Sequence, residues 1–153
     1  MSRERQDLFS RSALGVFRLN GQFLAVAEEL AKPAALTAAW WQVLGAVLGE
    51  PLPVSGIARA MGITRQSVQR IADLLVEKGL AEYRPNPAHR RAKLLAPTEE
   101  GRAAISRIDP GHAAFADRLA QAYGDDAELA EAVRVLERLS KVLEQVGPPV
   151  TEP

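Results

Sequence analysis

Apolar residues recur at alternating steps of four and three along both ends of the chain, and this spacing fixes what those ends can become. Phe9, Ala13, Val16, Asn20, Phe23, Ala27 and Leu30 form one such series, the seam of a helix packed lengthwise on another helix. It predicts a long helix over about residues 7–31. Lys32-Pro33 ends it, because proline disfavours helical geometry in the residue before it. Towards the other end Ile105, Ile108, His112, Phe115, Leu119 and Ala122 step in the same way, with Pro110 placed to kink the rod. Leu129, Ala132, Leu136, Leu139, Leu143 and Val146 give a last helix over 128–146, roughly 28 Å long at 1.5 Å per residue. Stripes this long and narrow need partners. They predict a two-fold interface between copies of the chain, containing Phe9, Val16, Asn20, Phe23, Phe115, Leu119, Leu136, Leu139 and Leu143. Asn20 in the seam would fix register at some cost in stability.

The middle of the chain reads differently. Thr37 offers an N-cap to a short, mostly buried helix whose apolar face is Trp40, Val43, Leu44, Val47 and Leu48. After the breaker Glu50-Pro51-Leu52-Pro53, Ser55 is placed to cap a brief helix ending at Met61. Gly62 makes the turn, Thr64 caps another helix to about Lys78, and Gly79 stops it. On that second helix Val68, Ile71, Ala72 and Leu75 face one way, and Gln66, Gln69, Arg70, Asp73 and Glu77 the other. Residues 80–96 then change period: Ala81 and Tyr83 alternate with Glu82 and Arg84, and Ala92, Leu94 and Ala96 with Arg91 and Lys93, the pattern of half-buried strands. The polar, proline-rich stretch Pro85-Asn86-Pro87-Ala88-His89-Arg90 is the hairpin tip, and Pro97-Thr98 opens the next helix. The expected fold is mainly α with a small two- or three-stranded β wing: a winged helix-turn-helix flanked by long dimerisation helices. Its parts are an N-terminal dimerisation helix (1–36), a winged helix-turn-helix unit (37–97), C-terminal dimerisation helices (98–147) and a flexible tail (148–153).

Charge sharpens this division. The chain has 19 Lys and Arg against 19 Asp and Glu, a formal net of zero, which as a bulk number argues against a nucleic-acid partner. Distribution reverses that argument. Residues 1–58 carry 5 basic and 5 acidic groups, residues 59–93 carry 8 and 3, and residues 94–153 carry 6 and 11. A basic centre is thus set against an acidic C-terminal region, and the acidic helices are expected to face away from DNA.

Docking a helix-turn-helix on duplex DNA needs a small residue at the helix crossing, a glycine in the turn, apolar anchors, and an outer face of donors and acceptors. Ala58, Gly62, and the group Ile57, Met61, Ile63, Val68 and Ile71 meet the first three needs. For the fourth, Gln66 and Gln69 have the amides for bidentate contact with adenine, and Arg65 and Arg70 reach guanine or phosphate. Backbone amides at Thr64 to Ser67 suit a phosphate, and Ser55 joins the same face. Arg84, Arg90, Arg91 and Lys93 beside the exposed tip suit phosphate neutralisation or entry of an arginine into the minor groove. A solvated polar helix face and a solvated charge run are the plainer readings of each element taken alone. Helix-turn-helix followed at once by a basic hairpin is harder to dismiss.

Other classes find little support. With no cysteine, disulfides, thiolate metal sites and thiol redox sensing are excluded. His89 and His112 are the only imidazoles, and there is no phosphate loop, metal-spaced cluster or nucleophile elbow. No enzyme, cofactor or metal is therefore expected. Nor is a membrane span or signal peptide, so the expected location is the cytoplasm.

Together these residues resemble the MarR family of winged helix-turn-helix transcriptional regulators. The resemblance rests on Leu36-Thr37, the stretch from Ile57-Ala58 to Gly62-Ile63-Thr64-Arg65-Gln66-Ser67-Val68, that from Leu74 to Glu77-Lys78-Gly79-Leu80, the wing Asn86-Pro87-Ala88-His89-Arg90-Arg91-Ala92-Lys93, and Thr98-Glu99-Glu100-Gly101-Arg102. It covers essentially the whole chain. The family's usual wing Asp stands here as His89, which leaves Arg91 without the acid that would orient it, and its usual Leu-Thr is Pro97-Thr98. The resemblance implies a homodimeric repressor on a pseudo-palindromic operator, with double-stranded DNA contacted by Ser55, Thr64, Arg65, Gln66, Ser67, Gln69, Arg70, His89, Arg90, Arg91 and Lys93. It also implies release by a small aromatic or phenolic effector. Candidate effector residues are Arg18, the adjacent Trp40 and Trp41, and His112, for all of which a core, interface or ion-pair role is the plainer reading. The alternative function is a winged-helix interaction or dimerisation module that has lost DNA binding.

Overall fold

The computed structural model describes residues 2–149. Its elements run α1 (Ser2–Ala31), a 3-10 turn (Lys32–Ala34), α2 (Ala38–Ala46), β1 (Leu52–Pro53), α3 (Val54–Met61), α4 (Arg65–Glu77), β2 (Ala81–Arg84), β3 (Leu94–Pro97), α5 (Glu99–Tyr123) and α6 (Asp126–Val146). The chain divides into two compact units, one through Pro110 and one from Gly111.

In the first unit, α1 begins well before the apolar series does, because nothing between Ser2 and Ala31 breaks a helix. Leu8, Phe9, Phe17 and Phe23 stand more than half exposed on it, with Val16 and Leu19 nearly as open, while Leu30 and Ala31 turn into the core. Asn20 is exposed in the single chain. The following helix is capped as expected, Thr37 Oγ1 accepting from Trp40 N at 3.1 Å. A second acceptor, Glu28 Oε1 on α1, takes Ala38 N at 2.9 Å and ties the two helices together. Val43, Leu44 and Val47 of this segment join Ile57, Val68, Leu75, Leu95 and Ile108 in a single buried cluster.

The helix-turn-helix differs from expectation at its start. Ser55 is not the cap: Pro53, held extended (φ −71°, ψ 157°) where it pairs with Leu94 in β1, is the residue before the helix, so α3 already begins at Val54 with no side-chain cap and Ser55 falls within its first turn. Gly62 closes α3 in the left-handed region, φ 68°, where a side chain would be strained. Thr64 Oγ1 then accepts from Ser67 N at 3.1 Å and caps α4.

Three antiparallel strands, in the order β1-β3-β2, make the sheet. The predicted breaker at Leu52-Pro53 is its third strand, pairing Leu52 with Leu95 and Pro53 with Leu94. Proline is tolerated there because β1 is an edge. β3 starts only at Leu94 and buries Leu95, Ala96 and Pro97 in succession, so the expected alternation from Ala92 fails: as the central strand it is flanked on both edges, and Ala92 and Lys93 belong to the wing loop. Pro97 pairs with Ala81 as part of β3, which moves the start of α5 to Glu99.

A polar latch joins the end of the helix-turn-helix to α5. Thr98 Oγ1 donates to Gly79 O at 2.6 Å and accepts from Gly101 N at 3.1 Å, while Thr98 N donates to Leu80 O at 3.1 Å. Gly101 is required here, because a Cβ would fall 2.0 Å from Leu80 O. Helix α5 runs unbroken through Pro110, the residue at which the first compact unit ends.

In the second unit, Asp125 Oδ1 accepts from Glu128 N at 2.8 Å and caps α6. No residue of α6 is buried. Leu136, Leu143 and Val146 are exposed, Leu139 is half-buried, and on α5 Leu119 is exposed and Phe115 half-buried. Of the predicted tail, residues 150–153 lie outside the described residues.

Candidate nucleic-acid interface

The outer face of α4 carries Arg65, Gln66, Gln69 and Arg70, all exposed, while Val68, Ile71, Ala72 and Leu75 anchor it in the core. Ser67 is half-buried, its Oγ accepting from Thr64 Oγ1 at 2.9 Å, so this hydroxyl is engaged within the cap. The wing loop is built by Asn86: its Oδ1 accepts from Ala88 N at 3.0 Å and its carbonyl from His89 N at 3.2 Å. Such a side-chain turn fixes the tip without any acid at position 89. His89, Arg90, Arg91 and Lys93 project from it and are exposed.

Helix and wing converge on one cleft. About 430 Å³ in volume, it is lined by Ser55, Arg65, Gln69, Tyr83, Arg91 and Lys93 together with Pro53, Val54 and Ala92. A neighbouring cleft of about 480 Å³ lies over the turn, lined by Ser55, Ala58, Arg59, Ile63, Thr64 and Arg65. Ser55 and Arg65 border both. Gln66, Arg70, His89 and Arg90 line neither and stand in solvent.

Charge in this region is largely uncompensated. Among the described residues no ion pair involves Arg65, Arg70, Arg90, Arg91 or Lys93. Arg84 is different: its Nη2 lies 2.8 Å from Glu82 Oε1, so it does not add to the free charge of the wing. Lys93 Nζ stands 6.0 Å from the Tyr83 ring centre. A cleft bordered by three unpaired cations, serine and amide groups is suited to a phosphate or another oxyanion.

One cluster was not foreseen. Gln69 Nε2 donates to Asp73 Oδ1 at 3.0 Å and to Tyr83 Oη at 2.9 Å, and Tyr83 Oη donates to Asp73 Oδ1 at 2.5 Å. Burial, then the hydrogen bond to Asp73 and its charge, pushes the Tyr83 hydroxyl up to about 12. Gln69 is therefore not the unattached amide that the helix face alone implies. The i,i+4 spacing of Gln69 and Asp73 was a visible signal, whereas Tyr83 enters only through the strand register.

The candidate effector residues border neither cleft. Trp40 and Trp41 are half-buried against the core of the first unit, with Lys78 Nζ 5.4 Å over the Trp40 ring. Arg18 is exposed on α1, and His112 is exposed in the second unit. Among the described residues no group of three or more His, Asp or Glu could hold a metal ion, and no helix is long and apolar enough to cross a membrane.

A capped helix following a left-handed glycine turn, with a three-stranded wing behind it, defines a winged helix-turn-helix protein. The chain belongs to the MarR family, whose sequence pattern matches residues 36–92. Uncharacterized proteins of Mycobacterium tuberculosis and Mycobacterium bovis are 39% identical to it over 142 residues, 93% of this chain and 99% of theirs. A MarR family transcriptional regulator from Streptomyces coelicolor is similar in structure, with a TM-score of 0.72 and 26% identity over 91% of this chain and 98% of its own. A mutant MarR from Escherichia coli complexed with operator DNA has the same fold, with a TM-score of 0.73 and 21% identity over 87% of this chain and 95% of its own.

Proposed function

We propose that this protein is a sequence-specific DNA-binding repressor that acts in the cytoplasm as a homodimer. The observation that carries the reading is the cleft in which unpaired cations of α4 (Arg65) and of the wing (Arg91, Lys93) meet. In the DNA reading α4 enters the major groove, where Gln66, Gln69 and Arg70 face base edges and Thr64 and Ser67 the backbone. The cleft takes a phosphate beside Ser55, and His89 and Arg90 reach towards the minor groove. An interaction module that had given up DNA would gain nothing by keeping cations without partners in both elements.

Two copies supply the symmetry. The exposed stripe of α1, with Phe9, Val16 and Phe23 around Asn20, and the exposed Leu119, Leu136 and Leu143 beside half-buried Phe115 and Leu139 support a shared two-fold interface. Residues 1–36 and 98–147 then serve dimerisation, and residues 37–97 serve DNA. Half-sites about 34–36 Å apart follow from one helical turn of DNA. Release by a small aromatic or phenolic effector completes the proposal, since a ligand that favours a different spacing of the recognition helices would lower affinity.

An electrophoretic shift with the promoter region beside the protein's own gene tests the reading. A retarded complex that weakens steeply with added salt is expected, and no complex at low salt would remove the proposal.

A further inference from the structure

The Gln69–Asp73–Tyr83 cluster assigns a second layer to base recognition, resting on the DNA-binding reading above. A glutamine side chain has two flips, which exchange its donor and acceptor edges, and an unattached glutamine samples both. Here chemistry selects one. A carboxylate only accepts, so the Gln69 atom facing Asp73 Oδ1 at 3.0 Å must be the nitrogen. Tyr83 has one proton and gives it to Asp73, so its oxygen can only accept from Gln69. Neither oxygen has a proton to offer Gln69 Oε1, and the reversed amide would set its oxygen against a carboxylate.

The three distances also say how many valences the cluster uses. They place the two acceptor oxygens about 50° apart as seen from Gln69 Nε2, far less than the roughly 120° between the two N–H bonds of an amide. One N–H is therefore shared between both oxygens. The other N–H and Oε1 are left for a base pair.

We propose that Asp73 and Tyr83 are specificity-determining positioning residues, which hold the Gln69 carboxamide in one flip so that the base pair opposite it is read in one orientation. Tyr83 belongs to β2, so the wing sheet takes part in reading bases through the helix. Neither residue needs to touch DNA. The raised pKa of Tyr83 agrees with a hydroxyl kept protonated as the donor to Asp73.

The test is selection from a library of randomised operators with the full-length protein and its Gln69→Ala, Tyr83→Phe and Asp73→Asn variants. Gln69→Ala identifies the base pair that this residue reads. At that pair the parent protein should prefer one orientation over its reverse by about tenfold, the scale of one good base contact. Tyr83→Phe and Asp73→Asn should each cut that preference several-fold while preferences elsewhere in the site stay unchanged. Thermal melting keeps folding in view, and Tyr83→Phe retains the ring against the sheet. Unchanged orientation preference in both variants would overturn the proposal, as would a uniform loss at every base pair, which marks a merely structural role. Failure of the parent protein to bind any library member would instead strike at the DNA reading.

Discussion

Replacing Arg91 by glutamine removes one of the three unpaired cations that border the cleft between α4 and the wing. If each of the three meets one phosphate, a dimer neutralises six, and the logarithm of the binding constant falls with the logarithm of salt at a slope of about −5.4. Raising salt fourfold, from about 50 to 200 mM, then costs the parent protein about 1,800-fold in affinity. Arg91→Gln leaves four contacts, a slope of about −3.6 and a loss of about 150-fold over the same interval. Fluorescence anisotropy of a labelled operator, titrated at several salt concentrations, reads both slopes directly. Arg91 is exposed on the wing loop and outside the buried cluster, so the melting temperature should not move. Parallel lines for the two proteins would refute the placement of Arg91 on a phosphate, even if the variant bound more weakly.

Gly101→Ala should destabilise the fold even though alanine ordinarily gains about 1 kcal/mol over glycine within a helix. Its Cβ would lie 2.0 Å from Leu80 O, and overpacking of this kind costs about 1–3 kcal/mol or more; a melting temperature at or above that of the parent would contradict it. Because the folded-state pKa of Tyr83 is raised to about 12 from 10.0, its contribution to stability is whole below pH 10 and is lost as pH rises from 10 to 12. Tyrosinate absorbance followed by pH should accordingly lose its component near 12 in Tyr83→Phe, and an unaltered titration would exclude this environment. Light scattering should return twice the 16.6 kDa chain mass, and Phe23→Asp, placed on the exposed stripe of α1, should shift it towards one chain. A parent protein that is already monomeric at micromolar concentration would end the dimer proposal.

Local chemistry was legible in the sequence wherever a few adjacent residues decide it. Thr37 and Thr64 cap their helices and Gly62 makes its turn as read, since each depends only on a side chain and the backbone beside it. Pairing across the chain was not legible. Leu52-Pro53 reads as a breaker until Leu95 is known to lie opposite it, and Ser55 reads as a cap until Pro53 is seen to take that place. The basic faces of α4 and the wing were visible as composition, but which cations share a cleft depends on the fold. Arg65, Arg91 and Lys93 share one, Arg84 is paired with Glu82, and Arg70 and Arg90 face solvent. Tyr83 was legible as an inward strand residue and illegible as a partner of Gln69, fourteen positions away.

The latch around Thr98 has a mechanical meaning. Gly79 O and Leu80 O, just past the C-terminal end of α4, are both bound by Thr98, and Gly101 packs against Leu80 too closely for a Cβ to intervene. The turn after α4 is thus bolted to the first turn of α5, and α4 pivots only by carrying that turn with it. The arrangement is a lever with its short arm at the bolt. With α4 some 13 residues long, or about 20 Å, a rotation of about 5° at Gly79 displaces Arg65 by about 1.7 Å. That is more than half the length of a hydrogen bond, so an angular change small enough to leave the core packed is amplified into lost contact at the far end of the helix.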